Sequence, residues 1–423
     1  MRGLGSFADL WIWERVGDRL PWYYAVATNR MPAKFRIAGR VPVDADLAAP
    51  EEQLWEAHSA GTDAFLKVWA AVRRGEASLP DLPRASPSLL SLSVALVRRM
   101  LRHCNFCRWN CRVDRGTGTK HGTCQLESVS RVSSYFHHPG EELVFRGTRG
   151  SGTIFFTSCN LRCVFCQNGD ISHDKDNGIP VSPQQLAAMA WQLRTEGCHN
   201  VNWVGGEPTI HLHAIVQAID CLDRGKPLPE DVAYSEAVKS DSVYGARREN
   251  ATHEGGLNAP MLWNSNFFMS PEAMRILRPL MDVWLPDFKF GNDRCAMVLS
   301  KTPWYLETVS RNHQLVYDWG EDIVIRHLVM PGHVECCTKP VLRWIVDHTP
   351  QALVNVMDQY HPDYACDPSS SQFDSRFAAL TRRPYGEEIL EAYECARNLG
   401  LRWEEVTLEK STMGLRDQPL VTS

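Results

Sequence analysis

The sequence predicts an α/β fold, a parallel sheet covered by helices and either open or closed into a barrel. Two observations carry that prediction. From Thr153 onward, short apolar strands alternate with amphipathic helices, and three cysteines follow directly on the first of these strands. Loops that leave the C-terminal ends of barrel strands are where such folds build active sites. The second observation therefore bears on function as well as fold.

The strands read in order as TIFFTS, VNWV (201–204), APMLWN (259–264), DVWLPDF (282–288), DIVIRHLVM (322–330) and ALVNVM (352–357). Of the helices between them, SPQQLAAMAWQLRTEG is the best marked. Ser182 suits the cap, Pro183 the first helical position and Gly197 the exit. Leu186, Met189, Ala190 and Leu193 recur as one buried stripe. SPEAMRIL repeats the signal with Ser270 as cap and Pro271 just inside. IHLHAIVQAIDCL, TKPVLRWIVDH and EEILEAYECARNLG supply further helices, the last with Ile389, Ala392, Tyr393 and Ala396 on one face and Gly400 at its end.

Upstream, the chain divides by composition. Residues 1–98 form an extension without cysteine, rich in aromatic clusters, that packs on something larger. Its helix, EEQLWEAHSAGTDAFLKVWAAV, puts Leu54, Ala57, Gly61, Ala64 and Val68 on one face, with Gly61 as its weak point. The Pro- and Ser-rich EASLPDLPRASPS reads as a linker. Residues 99–135 form a four-cysteine module, 140–410 the barrel and 411–423 a tail. Within the barrel, 223–258 is polar and poor in large apolar residues, which predicts a flexible surface insertion.

Composition narrows the function classes. The 423 residues carry 45 basic and 50 acidic side chains, a net charge of -5, which predicts neither a nucleic-acid nor a membrane surface. No apolar run reaches membrane-spanning length, and the start lacks the apolar core and cleavage site of a signal peptide. A cytoplasmic, reducing location is expected, where 14 cysteines read as metal ligands or redox groups rather than disulfides.

The stretch SGTIFFTSCNLRCVFCQNGDIS spaces Cys159, Cys163 and Cys166 as C-x3-C-x2-C on a strand-exit loop. Thiolates suit zinc and iron–sulfur clusters. Three of them on a four-iron cluster leave one iron open for a substrate or cofactor, as catalytic zinc sites keep an open position. The competing reading is a closed zinc or cluster site completed by a distant cysteine such as Cys198. GGEP (205–208), after the second strand, offers two glycines for close backbone approach and Glu207 as an anionic acceptor for an ammonium group. LPDFK puts Asp287 and Lys289 on one face of its strand. A plain ion pair of Asp287 with Lys289 or Arg326 is the structural alternative. His327 reads as a packed or surface histidine.

On these residues the chain resembles the radical S-adenosylmethionine (SAM) superfamily, and more narrowly its pyruvate formate-lyase activating enzyme-like branch, over residues 99–410. The resemblance implies a partial (β/α)6-type TIM barrel. It implies a [4Fe–4S] cluster on Cys159, Cys163 and Cys166, with the fourth iron chelated by SAM. It further implies that Phe165 borders the adenine and that Gly205, Gly206 and Glu207 bind the SAM amino group. Asn264, Asp287, Lys289 and Arg326 fall where this branch contacts SAM or orders the site. The implied chemistry is reductive cleavage of SAM to a 5′-deoxyadenosyl radical that abstracts hydrogen from a substrate. The implied partners are an electron donor such as flavodoxin or ferredoxin and a substrate that the resemblance does not identify, a glycyl-radical partner or another protein, peptide or small molecule.

The four-cysteine module spaces Cys104, Cys107, Cys111 and Cys124 as C-x2-C-x3-C-x12-C, which can close either a zinc site or a second iron–sulfur cluster. The remaining cysteines, at 198, 221, 295, 336, 337, 366 and 395, show no ligand spacing and read as core or incidental thiols. A rival of another class is a non-catalytic iron–sulfur or zinc protein for electron transfer or assembly, which would need the cysteines but not GGEP or the polar strand ends.

Overall fold

The computed structural model describes residues 15–147, 149–225, 251–404 and 406–407. Most of the predicted 223–258 insertion and the whole 411–423 tail lie outside the described residues.

Six parallel strands form the centre: β2 (Ser151–Phe156), β4 (Val201–Gly205), β5 (Met261–Ser265), β6 (Val283–Pro286), β7 (Val324–Leu328) and β8 (Leu353–Met357). Each matches one expected apolar run. β2 pairs with β4, β4 with β5 and β5 with β6, all parallel and in register along Trp203↔Trp263↔Trp284. The line continues to β7 through the parallel bridges Trp284↔Ile323 and Asp287↔Arg326, and β7 pairs with β8. The result is a parallel α/β sheet of the partial-barrel kind. Among the described residues no ladder joins β8 back to β2.

Two antiparallel strands extend the open edge, β1 (Ser130–His138) against β2 and β3 (Ile179–Val181) against β1. The sequence reading lacks both. SRVSSYFHH is mostly polar, but a register shift between Val132 and Ser134 interrupts its alternation, and Val132 and Tyr135 both enter the core. A strand with one solvated face needs only half an apolar pattern.

The helices cover the sheet, with α1 (Glu51–Arg73) and α2 (Leu89–Met100) upstream of it. α3 (Pro183–Thr195) starts as expected: Ser182 Oγ accepts from Gln185 N at 3.2 Å, and Gln185 Oε1 accepts from Ser182 N at 2.7 Å. Its stripe of Leu186, Met189, Ala190 and Leu193 is buried, each leucine worth roughly 1.5–3 kcal/mol. α4 (Leu212–Arg224), α5 (Pro271–Leu277), α6 (Asp293–Ser300), α7 (Tyr305–Asp318), α8 (Lys339–His348) and α9 (Gly386–Asn398) follow. Ser270 caps α5 through Ala273 N at 3.1 Å.

α1 corrects the expected helix face. Leu54, His58, Gly61, Phe65, Trp69 and Val72 are its buried residues, while Ala57, Ala64 and Val68 sit half-exposed. Bulk decides this: Phe65 and Trp69 outweigh the alanines. Gly61 is not a weakness, because a Cβ there would meet Val43 at 2.9 Å and Leu89 at 3.1 Å. Trp22, Phe35, Phe65 and Leu96 share one apolar core with Ile154, Trp203 and Trp263 of the sheet.

The upstream segment is anchored at the N-terminal ends of β6 and β7. Asp282 accepts from Trp22 Nε1 at 2.8 Å, Lys34 N at 3.0 Å and Met261 N at 2.8 Å. Asp322 accepts from Tyr23 N at 2.7 Å, and Lys34 pairs with buried Glu321. No helix of the described residues is long and apolar enough to cross a membrane.

Candidate active site at the barrel mouth

The C-terminal ends of the strands converge on a cavity of about 380 Å³. Its wall includes Cys159, Cys163, Cys166 and Phe165 from the loop after β2, and Gly205, Gly206 and Glu207 from the end of β4. Asn264 from β5, Asp287 and Lys289 after β6, and Arg326 from β7 complete it. Every residue singled out around the first cysteine motif therefore meets at one place.

Cys159 and Cys163 are buried, at 8% and 9% exposure, and Cys166 is partly buried. Burial pushes the Cys163 thiol up to about 12, with Lys289 working the other way. Thiolates in such a place need a cation bound to them, which is what a metal supplies. Phe165 is held between Phe290 and Tyr360, with ring centroids 6.1 and 6.2 Å away. Cys198 is not a fourth partner. It precedes β4 at the opposite end of the strands, with its Sγ 3.9 Å from the Arg149 carbonyl.

The glycines of GGEP have a reason other than ligand approach. Gly205 has φ +125°, and a Cβ on it would lie 2.1 Å from Phe156 N. A Cβ on Gly206 would lie 1.7 Å from the Ser158 carbonyl oxygen. Both let the ends of β2 and β4 close together, and both still border the cavity.

Glu207 is 1% exposed. Its Oε1 accepts from Thr209 N at 3.0 Å and from the hydroxyls of Thr209 at 2.5 Å and Ser265 at 2.7 Å. Its Oε2 accepts from Asn266 N at 2.9 Å. Burial raises its pKa despite these bonds. Oε1 is saturated, whereas Oε2 retains capacity for a further donor.

Asp287 bridges two cations: Lys289 Nζ donates at 2.5 Å and Arg326 Nε at 2.8 Å. Burial opposes the Asp287 charge, yet Arg326 and Lys289 hold its carboxyl below the usual range. Arg326 Nη2 donates to Asn264 Oδ1 at 2.5 Å. The anticipated ion pair thus exists, and it lines the cavity rather than lying apart from it.

Two carboxylates at the mouth escaped sequence reasoning. Glu141 and Glu142 lie 3.7 and 4.0 Å from Arg326 Nη1, and Asn202 Nδ2 donates to Glu141 at 2.6 Å. In the string HHPGEELVF they look like a solvated turn, and no single-sequence signal marks them. His327 is packed, with Nδ1 2.7 Å from the Phe288 carbonyl and Nε2 2.9 Å from Thr338 Oγ1.

The four-cysteine module lies against the same loop. Trp109 Nε1 donates to the Asn160 carbonyl at 2.7 Å, Ser158 Oγ to the Cys124 carbonyl at 2.6 Å, and Arg162 Nη2 to the Thr123 carbonyl at 2.6 Å. Cys104, Cys107 and Cys124 are buried; burial pushes the Cys104 and Cys107 thiols up, and the nearby Cys124 adds to both shifts.

A parallel α/β fold with a thiolate loop and a charged cavity at its C-terminal mouth defines a metallocofactor protein of the barrel type. Residues 153–345 match the family model of the radical SAM superfamily, so this part of the chain is a radical SAM domain. An uncharacterised protein of Methanocaldococcus jannaschii is 35% identical over 389 residues, which is 90% of this chain and 98% of that one. Solved structures are more distant. A domain of pyruvate-formate lyase-activating enzyme from Bacteroides vulgatus aligns at 13% identity and TM-score 0.26, covering 34% of this chain and 80% of that one. Streptococcus suis SuiB bound to precursor peptide SuiA aligns at 12% identity and TM-score 0.36, covering 58% of this chain and 46% of that one. The superfamily uses a [4Fe–4S] cluster and SAM, and its enzymes need a reductant.

Proposed function

We propose that this protein is a radical SAM enzyme whose mouth cavity holds the cluster on Cys159, Cys163 and Cys166 and SAM beside it. The observation that carries the reading is the convergence of the three thiols, Glu207 and the Asp287–Lys289–Arg326 network on one cavity. When bound, the reduced cluster and SAM together supply a 5′-deoxyadenosyl radical for hydrogen abstraction.

The chain's own residues bind, orient and exclude water. Glu207 Oε2 accepts from the SAM amino group. The cavity sets four carboxylates, Glu141, Glu142, Glu207 and Asp287, against the two cations Lys289 and Arg326. That balance favours a sulfonium and an ammonium ion, while the two cations remain available for a carboxylate. Phe165 gives the adenine an apolar border. The second cysteine set, Cys104, Cys107, Cys111 and Cys124, holds an additional iron–sulfur cluster or zinc.

Hydrogen abstraction from a protein or peptide substrate, of glycyl-radical or another type, follows the resemblance of residues 151–172 to the activating-enzyme branch. A flavodoxin or ferredoxin is the electron donor on this reading, and the cytoplasm its location.

The test is anaerobic. Protein reconstituted with iron and sulfide, then reduced and given SAM, should form 5′-deoxyadenosine, and Cys163→Ala should form none. Equal product from both proteins would refute the ligand assignment. Absence of both product and SAM binding in the unmutated protein would favour the non-catalytic rival.

A further inference from the structure

Away from the cavity, four residues with no sequence spacing in common come together. Cys295 lies in the first turn of α6, while His333, Cys336 and Cys337 follow β7 in HVECC. Cys295 Sγ is 3.8 Å from Cys336 Sγ and 3.8 Å from His333 Nδ1. Cys336 Sγ is 3.3 Å from His333 Nδ1 and 3.9 Å from Cys337 Sγ, and Cys337 Sγ is 3.9 Å from His333 Nδ1. All four ligand atoms lie within 4.8 Å of one another.

These separations have a chemical meaning. Zinc bonds of ~2.3 Å to sulfur and ~2.0–2.1 Å to nitrogen put the corners of a tetrahedron about 3.6–3.8 Å apart. A four-iron cube would hold its thiolates much further from one another. A disulfide would need its sulfurs at about 2 Å.

The backbone is arranged around the same point. Val334–Thr338 is a single π-helical turn, with Thr338 N donating to the His333 carbonyl at 3.2 Å. Such turns are rare and recur at functional sites. Here the turn aims two adjacent cysteines at one point. Asn292 clamps the two halves: its Oδ1 accepts from Cys295 N at 2.8 Å and its Nδ2 donates to the Cys336 carbonyl at 2.7 Å. Gly291 permits the close approach, since a Cβ there would lie 2.8 Å from the Cys336 carbonyl oxygen.

We propose that Cys295, His333, Cys336 and Cys337 form a mononuclear zinc site that staples the first turn of α6 to the turn after β7. In the chain, the first of these segments follows Asp287 and Lys289 and the second follows the strand that carries Arg326. With four protein ligands the site is closed, and its role is structural.

Zinc and iron measured per chain in anaerobically prepared full-length protein test the site. Cys336→Ala should lose one equivalent of zinc and keep its iron. Unchanged zinc overturns the proposal, and so does loss of iron in its place, which would make these residues cluster ligands. A second variant does not depend on tolerating a lost ligand. His333→Cys should retain the metal and, with cobalt(II) in place of zinc, absorb more strongly in the sulfur-to-cobalt charge-transfer region than the unmutated protein. An unchanged cobalt spectrum removes His333 from the site and overturns the four-ligand assignment.

Discussion

The two ends of the strands bury charge for opposite purposes. At the N-terminal end, Asp282 and Asp322 are satisfied by donors of Trp22, Tyr23, Lys34 and Met261. At the C-terminal end, Asp287, Glu141, Glu142 and Glu207 face a cavity with Lys289, Arg326 and three thiols. Burial and hydrogen bonding are alike at the two ends. What marks the second end as a site is the cavity its charges line and the soft ligands beside them.

The sharpest way to break this comparison is to mutate the anchor. Asp282→Ala would strand three donors, at about 1–3 kcal/mol each, so the protein should lose at least about 3 kcal/mol of stability in denaturant melts. Its SAM affinity, scored on folded protein, should not change. A change in affinity as large as the change in stability would mean that the two ends are not separate in function.

At the mouth the expected effect is smaller and of another kind. Glu207→Gln keeps the side chain's shape but removes its charge, so SAM binding measured by titration should weaken about tenfold with cluster iron intact. Unaltered affinity would remove Glu207 from the binding set. Cys107→Ala should weaken neither SAM binding nor SAM cleavage. Loss of the SAM-responsive cluster in that variant would mean that the two cysteine groups, joined through Trp109, Ser158 and Arg162, act as one.

A further effect is pH-dependent. Burial pushes the Asp322 carboxyl up to about 7, against about 3.9 in the unfolded chain. Folded protein holds this proton more tightly, so the group's stabilising contribution is full at low pH and fades as pH climbs through about 7. Asp322→Asn can still accept from Tyr23 N, and its melting temperature should fall less between about pH 4 and 7 than that of the unmutated protein. Parallel curves would show that Asp322 is not the titrating group.

Legibility in the sequence follows the same division. The six central strands were readable because each is largely buried and forms a short, mostly apolar run. Ser182 and Ser270 were readable because caps are local. β1 was not, since a strand with one polar face shows only half an apolar pattern. The cysteine loop and GGEP were readable because each lies within a few residues of a strand end. Glu141 and Glu142 were not, because only the fold turns that polar stretch inward to face Arg326. Cys295 and the HVECC group were dismissed as incidental thiols for a related reason. Their meeting depends on two separate segments, and nothing local in either announces it.

The central claim is that the mouth carries an iron–sulfur centre with one iron open to SAM. Electron paramagnetic resonance of the reduced, reconstituted Cys107→Ala protein, recorded before and after SAM is added, tests it most directly. The account predicts a cluster signal that SAM shifts, because SAM binds the open iron. A cluster signal that SAM leaves unchanged would contradict it.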